Sequence, residues 1–209
     1  MEIVILLLVL IYSAILHEIA HGYVAERLGD PTARLLGRLT LNPKPHIDPI
    51  MSIFLPLILI LSGSPVIFGA AKPVPVDPFN LKDGRKDLAL VSLAGPATNV
   101  LIAFIAAIAI KAIGFFPLGE AQVFIYYVLG LVVRLNLLLA IFNLIPIPPL
   151  DGSKIFALIL PEKEAASYLS IGFIGIFILF FLLMFPIGGF SLGEAIFNLL
   201  TFSEHLLGL

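Results

Sequence analysis

Hydrophobic positions dominate the chain and are interrupted by short polar or proline-rich stretches. Four apolar runs are long enough to cross a bilayer as helices, since about 20 apolar residues span its hydrocarbon core. These runs are Ile3–Ala25, Leu88–Ile110, Val123–Asn143 and, approximately, Ser167–Pro186. A further run, Ser191–Leu209, contains three ionisable residues and is a weaker candidate. The pattern predicts an all-α polytopic membrane protein with about five to six hydrophobic segments.

The stretch between the first span and the Leu88–Ile110 span has a different pattern. Its apolar part, Ile50–Leu61, covers only roughly 18 Å as a helix and is too short to cross unaided. The flanking sequences "RLTLNPKPHI" and "PVIFGAAKPVPVDP" partly alternate in polarity and are broken by proline, which is typical of edge strands and turns. We therefore predict a short membrane-associated β element between Arg38 and Pro78. It should lie at the interface or against protein, because open strand edges cannot face lipid.

The composition supports a membrane protein and narrows the possible chemistry. Of the 209 residues, 60% are hydrophobic and 12% are charged, whereas about a quarter are charged in a soluble domain. The net charge of −2 gives no basic surface, so nucleic acid is excluded as a partner. The chain has no cysteine, so a metal site would use His, Asp or Glu. No repeat or linker divides the chain, which predicts one domain over residues 1–209.

The first span contains the sequence "HEIAH" from His17 to His21. Ionisable side chains are costly at this depth and mark function by default. On a helix, His17 and His21 lie one turn apart on one face and can bind the same metal ion. Glu18 is adjacent and can act as general base toward a metal-bound water. The alternative is a structural polar cluster between helices.

A second candidate cluster is "NLIPIPPLDGSK", from Asn143 to Lys154. Its prolines must end the preceding helix, so Asp151 follows on irregular backbone. Taken alone, Asp151 fits the N-cap of a new short helix. Two histidines, however, leave a catalytic zinc site one protein ligand short, and Asp151 is the best-placed third ligand.

A third cluster, "SLAGPATN", runs from Ser92 to Asn99. Its small residues let another helix approach closely, and Asn99 is a polar group at membrane depth. The cluster is either a packing notch with one interhelical hydrogen bond or a direct part of the site. His46, in "KPHIDP", is expected to be a solvated loop residue.

Four motifs together resemble the site-2 proteases, the intramembrane zinc metalloproteases. The motifs "HEIAH", "GAAKPVPVDP", "SLAGPATN" and "NLIPIPPLDG" occur in the family's order over residues 16–154. The resemblance is closest to the compact members, which lack PDZ or CBS domains. The hydrophobic segments over residues 165–209 match only in general character.

The resemblance implies specific site residues. It implies one Zn2+ per chain with a ligand set of His17, His21 and Asp151, and Glu18 as the catalytic base. Asparagines at the positions of Asn143 and Asn99 are associated with the family's active site, as oxyanion or substrate contacts. We expect Asn143 to be the first choice for the oxyanion and Asn99 the second.

The predicted function is hydrolysis of peptide bonds within or near the transmembrane segments of membrane-protein substrates, as in regulated intramembrane proteolysis. Helical peptide bonds are shielded by their own hydrogen bonds, so a substrate must unwind, and the predicted edge strands could hold it extended. One alternative is an inactive relative that only binds membrane clients, against which the intact Glu18 argues. The other is a zinc transporter, which would need more polar residues in the outer half of the spans.

The distribution of basic residues predicts the orientation. No basic residue precedes His17, and the first four follow the first span, at Arg27, Arg34, Arg38 and Lys44. Basic residues mark the cytoplasmic face. If Ile50–Leu61 dips in and returns, the next two spans form a hairpin and Asp151 returns to the cytoplasmic half. We therefore predict a multi-pass protein of the cell membrane with its active site in the cytoplasmic half of the bilayer.

Overall fold

A computed structural model describes residues 2–54, 57–58, 61, 71–116, 119–172 and 174–209. Most of these residues are helical, and the described part of the chain contains no β-strand. The α-helices are α1 (Glu2–Leu28), α2 (Thr32–Leu35), α3 (Gly84–Ile113), α4 (Glu120–Asn143), α5 (Asp151–Phe156), α6 (Glu162–Leu169), α7 (Ile174–Met184) and α8 (Leu192–Leu206). Short 3-10 turns cover Lys44–His46, Pro78–Asn80 and Ala157–Ile159, and a π-helical turn covers Pro49–Phe54.

Three helices, α1, α3 and α4, are long and apolar enough to cross a membrane. Helices α6 and α7 could together form a fourth span, which is bent by 75°. The last predicted run forms α8, which has only 15 residues. Within the described residues the candidate spans therefore number three or four, and the predicted five to six hydrophobic segments are not confirmed as spans. Part of Ile50–Leu61, including residues 55–56 and 59–60, lies outside the described residues.

Helix α3 is the central helix and packs against α1, α4 and α5. Its small side chains make this possible: Ala103 and Ala107 form a buried core with Val133 and Leu137 of α4. Lipid tails are as apolar as leucine side chains, so the hydrophobic effect does not drive helices together inside a bilayer. Close packing of small residues is therefore a principal source of helix association there. Helix α8 also packs on α4, with Leu200 in the same core.

The predicted β element between Arg38 and Pro78 is not confirmed where the stretch is described. Residues 38–48 form bends and one 3-10 turn, and residues 71–77 have irregular backbone. Among the described residues, one backbone hydrogen bond joins these pieces, from Lys72 N to His46 O at 2.8 Å. Pro73 and Pro75 cannot donate hydrogen bonds, so a regular ladder cannot continue here. Residues 62–70, which carry part of the predicted strand sequence, lie outside the described residues.

The prediction that His46 is a solvated loop residue is wrong. His46 is 3% exposed, and its Nε2 donates to the Thr40 carbonyl oxygen at 2.9 Å. The Thr40 carbonyl oxygen therefore pairs with one ring nitrogen, while Nδ1 is buried with no hydrogen-bond partner among the described residues.

Candidate metal centre

Helix α1 presents His17 and His21 on its buried face. The Nε2 atom of each lies 3.1 Å from Oδ2 of Asp151, which is 134 positions after His17 in the chain. One ligand atom from each of the three residues lies within 4.8 Å of the others. All three residues are buried. The structure thus brings together the three side chains that the sequence singled out as metal ligands.

Asp151 does not cap a helix, in contrast to the simplest interpretation of its sequence context. It is the first residue of α5, and the N-cap position is Leu150. Its carboxylate instead faces the two histidines and accepts a hydrogen bond from Lys154 Nζ at 3.1 Å. The turn before it is tight, because a Cβ on Gly152 would lie 2.1 Å from the Leu144 carbonyl oxygen. Glycine is therefore required next to this ligand.

The outer nitrogen of each imidazole has a hydrogen-bond partner. His21 Nδ1 donates to the Val91 carbonyl oxygen at 2.6 Å, and His17 Nδ1 donates to Asn99 Oδ1 at 2.5 Å. Such partners fix the ring orientation and tautomer of metal-binding histidines. In neutral rings the protons then sit on Nδ1, and both Nε2 atoms carry a lone pair.

The candidate ligand atoms of the three side chains are arranged as a metal ion would require. Two imidazole lone pairs, on His17 and His21, face the same carboxylate oxygen of Asp151. Three electron-rich atoms held this close repel one another unless a metal ion or protons lie between them. The donor set of two neutral imidazoles and a carboxylate is one that divalent metals use. The residues therefore fit a metal ion.

Gly95 of the "SLAGPATN" motif packs directly on the two ligand rings. A Cβ at this position would lie 2.5 Å from Nε2 of His17 and from Nε2 of His21. Any larger residue would therefore occupy the space of the ligand atoms. The motif therefore packs closely against the two candidate ligand rings, and a direct role of the motif in the chemistry stays a prediction.

The two candidate asparagines lie in different environments. Asn99 is 0% exposed and its amide is bound to His17 and Asn136, which favours a positioning role over contact with substrate. Asn143, at the end of α4, is half-buried and donates to the Leu139 carbonyl oxygen at 3.0 Å. Its oxyanion role stays a prediction.

Glu18 is half-buried and lies outside the group of three ligands. Its Oε2 accepts a hydrogen bond from the backbone N–H of Val74 at 2.6 Å. Sequence reasoning did not identify this contact, because a backbone donor leaves no trace in residue type. The bond fixes the direction of the Glu18 carboxylate.

Two further contacts hold the segment that contains Val74, residues 72–77. Arg38 Nη2 donates to the Lys72 carbonyl oxygen at 2.7 Å, and Asp77 N donates to Asp30 Oδ2 at 2.7 Å. Burial would raise the pKa of the Asp30 carboxyl. Hydrogen bonds from Thr32, Asn80 and Asp77 outweigh that effect, so the pKa lies below its usual value. The charged Asp30 therefore anchors one end of the segment.

Comparison with known proteins places the chain in a family. It matches the model of "Peptidase family M50" over residues 118–186. It is 36% identical over 195 residues to "Putative zinc metalloprotease YwhC" of Bacillus subtilis, covering 90% of this chain and 83% of that protein. It is 31% identical over 197 residues to "Putative zinc metalloprotease Rip2" of Mycobacterium tuberculosis, covering 93% and 73%, respectively. The chain therefore belongs to peptidase family M50, the site-2 protease family.

The matched regions include candidate site residues, and the family supports a membrane location. The family-model match includes Asn143 and Asp151, and the two relatives align over nearly the whole chain. No PDZ or CBS domain is matched within the 209 residues, and no solved structure matches the chain significantly. Family membership and the three long apolar helices identify an integral membrane protein.

Proposed function

We propose that this protein is an intramembrane zinc metalloprotease that hydrolyses peptide bonds within or near the transmembrane segments of membrane-protein substrates. The observation that carries the proposal is the meeting of His17, His21 and Asp151 within a helix bundle of membrane-spanning length, with Glu18 beside them. A transporter would need a series of polar sites through the bilayer. An inactive binder would not need the carboxylate of Glu18.

Zinc is the metal that the site suits best. Two histidines and a carboxylate leave the fourth position of a tetrahedral catalytic site open for water or substrate. His17, His21 and Asp151 would hold the ion through the two Nε2 atoms and Oδ2, and each Nε2 atom lies 3.1 Å from Oδ2. We propose one Zn2+ per chain, as the names of the relatives also suggest.

In this proposal the residues of the chain have separate tasks. When bound, zinc lowers the pKa of water to about 7 and polarises the substrate carbonyl. The Glu18 carboxylate receives a proton from the attacking water and then delivers it to the leaving amide nitrogen as the C–N bond breaks. Asn143 donates a hydrogen bond to the carbonyl oxygen as negative charge develops there, an effect worth about 3–4 kcal/mol.

The substrate is proposed to lie extended beside residues 72–77. This segment is tied to the catalytic helix through Val74 and Glu18 and is anchored at both ends by Arg38 and Asp30. An unwound substrate could pair with its remaining backbone groups by strand addition. In this proposal, pairing with the substrate would give residues 71–77 the extended structure that the sequence predicts for them.

Cleavage of a transmembrane peptide by the purified protein tests the proposed function. We expect hydrolysis in detergent or bilayers, its complete loss after metal removal by a chelator, and its recovery on adding Zn2+ but not Mg2+. The reason is that imidazole and carboxylate ligands in a four-coordinate site favour zinc over a cation that requires octahedral oxygen ligands. Undiminished cleavage by metal-free protein would contradict the proposal.

The orientation is proposed to place the site in the cytoplasmic half of the cell membrane. Because the chain has no cysteine, single cysteines can report it. Cysteines replacing the exposed residues Lys44, Lys82 and Lys163 should be labelled from the cytoplasmic side by an impermeant reagent. A cysteine replacing Glu120, at the far end of the α3–α4 hairpin, should be labelled only from outside. Opposite sides for Lys44 and Lys82 would mean that Ile50–Leu61 crosses and that the proposed orientation is wrong.

A further inference from the structure

A buried series of hydrogen bonds begins at His17 and crosses the three spans. Asn99 Nδ2 donates to Asn136 Oδ1 at 2.8 Å, and Asn136 Nδ2 donates to Ser13 Oγ at 2.9 Å and to the Val132 carbonyl oxygen at 2.8 Å. Asn99 and Asn136 are both 0% exposed, and Ser13 is 5% exposed. At this depth a polar group without a partner is costly, so the series is kept intact by the cost of breaking it.

The direction of every bond in this series follows from one backbone group. The Val132 carbonyl oxygen can only accept, so the Asn136 group that faces it is the NH2. Asn136 Oδ1 then faces Asn99 and can accept only from the Asn99 NH2. The Asn99 oxygen is therefore turned toward His17, whose Nδ1 must donate. The result is a His17 ring with its proton on Nδ1 and a lone pair on Nε2.

The second histidine does not depend on side chains in this way. His21 Nδ1 donates to the Val91 carbonyl oxygen, a backbone group of α3 that cannot rotate to present a donor. The side-chain amide of Asn99, in contrast, can rotate by 180° and present its NH2 group. Of the two histidines, His17 is therefore the one whose tautomer depends on a neighbouring side chain being held in place.

We propose that Asn136 is a positioning residue for the metal ligand His17. It holds the amide of Asn99 in the one orientation that makes His17 Nε2 free to bind metal. Without Asn136, the Asn99 amide can rotate and donate to Nδ1, which favours the tautomer with a proton on Nε2, the atom that faces Asp151. The inference rests on one part of the proposed function, which is that a metal binds at this site. It does not depend on proteolysis.

The test is zinc binding by the Asn136→Leu protein. Leucine branches at Cγ as asparagine does, but it neither donates nor accepts hydrogen bonds. Zinc affinity should fall by about 10–100-fold, the usual effect of losing an outer partner of a metal-binding histidine. The measurement is competition with a chromophoric chelator, using the purified, metal-free full chain in detergent. An unchanged affinity would overturn the positioning role.

A neighbouring substitution provides the matched control. Leu137, the next residue on α4, is 6% exposed and belongs to the core with Ala103, away from the ligands. Leu137→Ala should lower the unfolding temperature and leave zinc affinity unchanged. If Leu137→Ala weakened zinc binding as much as Asn136→Leu, the effect would be general destabilisation and the proposal would fail. Ser13→Ala should have a much smaller effect than Asn136→Leu, because Val132 still orients Asn136.

A second substitution tests the direction of the bonds. Aspartate at position 99 has no NH2 to present, so Asn99→Asp should restore most of the zinc affinity in the Asn136→Leu background. A carboxylate partner is also a common arrangement behind zinc-binding histidines. Absence of any recovery in the folded double variant would contradict the proposed rotation of the amide.

A measurement on the unmodified protein covers the case in which Asn136→Leu does not fold. Nitrogen NMR of 15N-histidine-labelled, metal-free protein should show His17 protonated at Nδ1 at a pH where the ring is neutral, with the signal assigned from His17→Gln. A proton on Nε2 would overturn the inference. Failure of the unmodified protein to bind zinc at all would instead overturn the proposed function, so the two failures are distinguishable.

Discussion

Glu18→Gln protein should bind zinc at the wild-type stoichiometry and cleave a transmembrane peptide at under about one hundredth of the wild-type rate. Removing a general base typically costs 10²–10⁴-fold, and in the proposed mechanism the same carboxylate also returns the proton to the leaving amine. Glutamine is the better probe because its amide oxygen can still accept the hydrogen bond from Val74 N that Glu18 accepts now. The substitution therefore removes the base and leaves residues 72–77 bound to α1 through the Val74 hydrogen bond.

The measurements are peptide cleavage by mass spectrometry and zinc content by elemental analysis on the same folded preparation. Substrate binding should persist in Glu18→Gln, since no binding contact is removed. A transporter would show zinc flux without peptide products in either protein, and an inactive binder would show no difference between them. Cleavage by Glu18→Gln near the wild-type rate, with host proteases excluded, would rule out the mechanism.

Asp151→Ala should lose most of its zinc. The change removes one of three ligands and leaves two histidines, which is fewer protein ligands than catalytic zinc sites use. The loss of affinity should exceed the 10–100-fold that removal of an outer partner typically causes. Competition titration and elemental analysis of the purified, folded variant measure it. Full zinc retention would show that Asp151 is not a ligand.

Two control variants distinguish the loss of a ligand from the loss of a neighbouring charge or of any histidine. Lys154→Ala removes the ammonium that contacts Asp151 Oδ1 but keeps all three ligands, so it should retain zinc. His205→Ala removes an exposed histidine of α8 and should also retain zinc. His46 is a poorer control, because its ring is buried against Thr40 and its loss would disturb the loop.

The long spans and the grouping of His17, His21 and Asp151 were predictable from sequence, for different reasons. Membrane helices such as α1 need about 20 apolar residues, so their length alone identifies them. The i, i+4 spacing of His17 and His21 fixes a shared face on any helix. Asp151 was reached by counting ligands, whereas its local sequence pointed to an N-cap, a position that Leu150 holds. The ligand count, and not the local pattern, predicted where the Asp151 side chain lies, and its role as a ligand stays a prediction.

The remaining features depend on contacts that sequence patterns do not encode. The bond from Val74 N to Glu18 uses a backbone group, and every residue except proline has one. The proposed role of Asn136 depends on how α3 and α4 pack so that Asn136 meets Asn99, and the periodicity of one helix does not specify that contact. The β element was inferred from alternation and proline, but residues 71–77 are held by Arg38 and Asp30 side chains in the place of a neighbouring strand.

The separation of 134 positions between His17 and Asp151 has a consequence for biosynthesis. A ribosome delivers α1 to the membrane, with both histidines and Glu18, long before Asp151 has been translated. Until α5 docks against α3, the growing chain has His17, His21 and Glu18 in place but lacks the third side chain of the candidate centre. Capture of the proposed metal ion would therefore be a late event in assembly, because a chain that ends before Asp151 lacks one of the three side chains of the site.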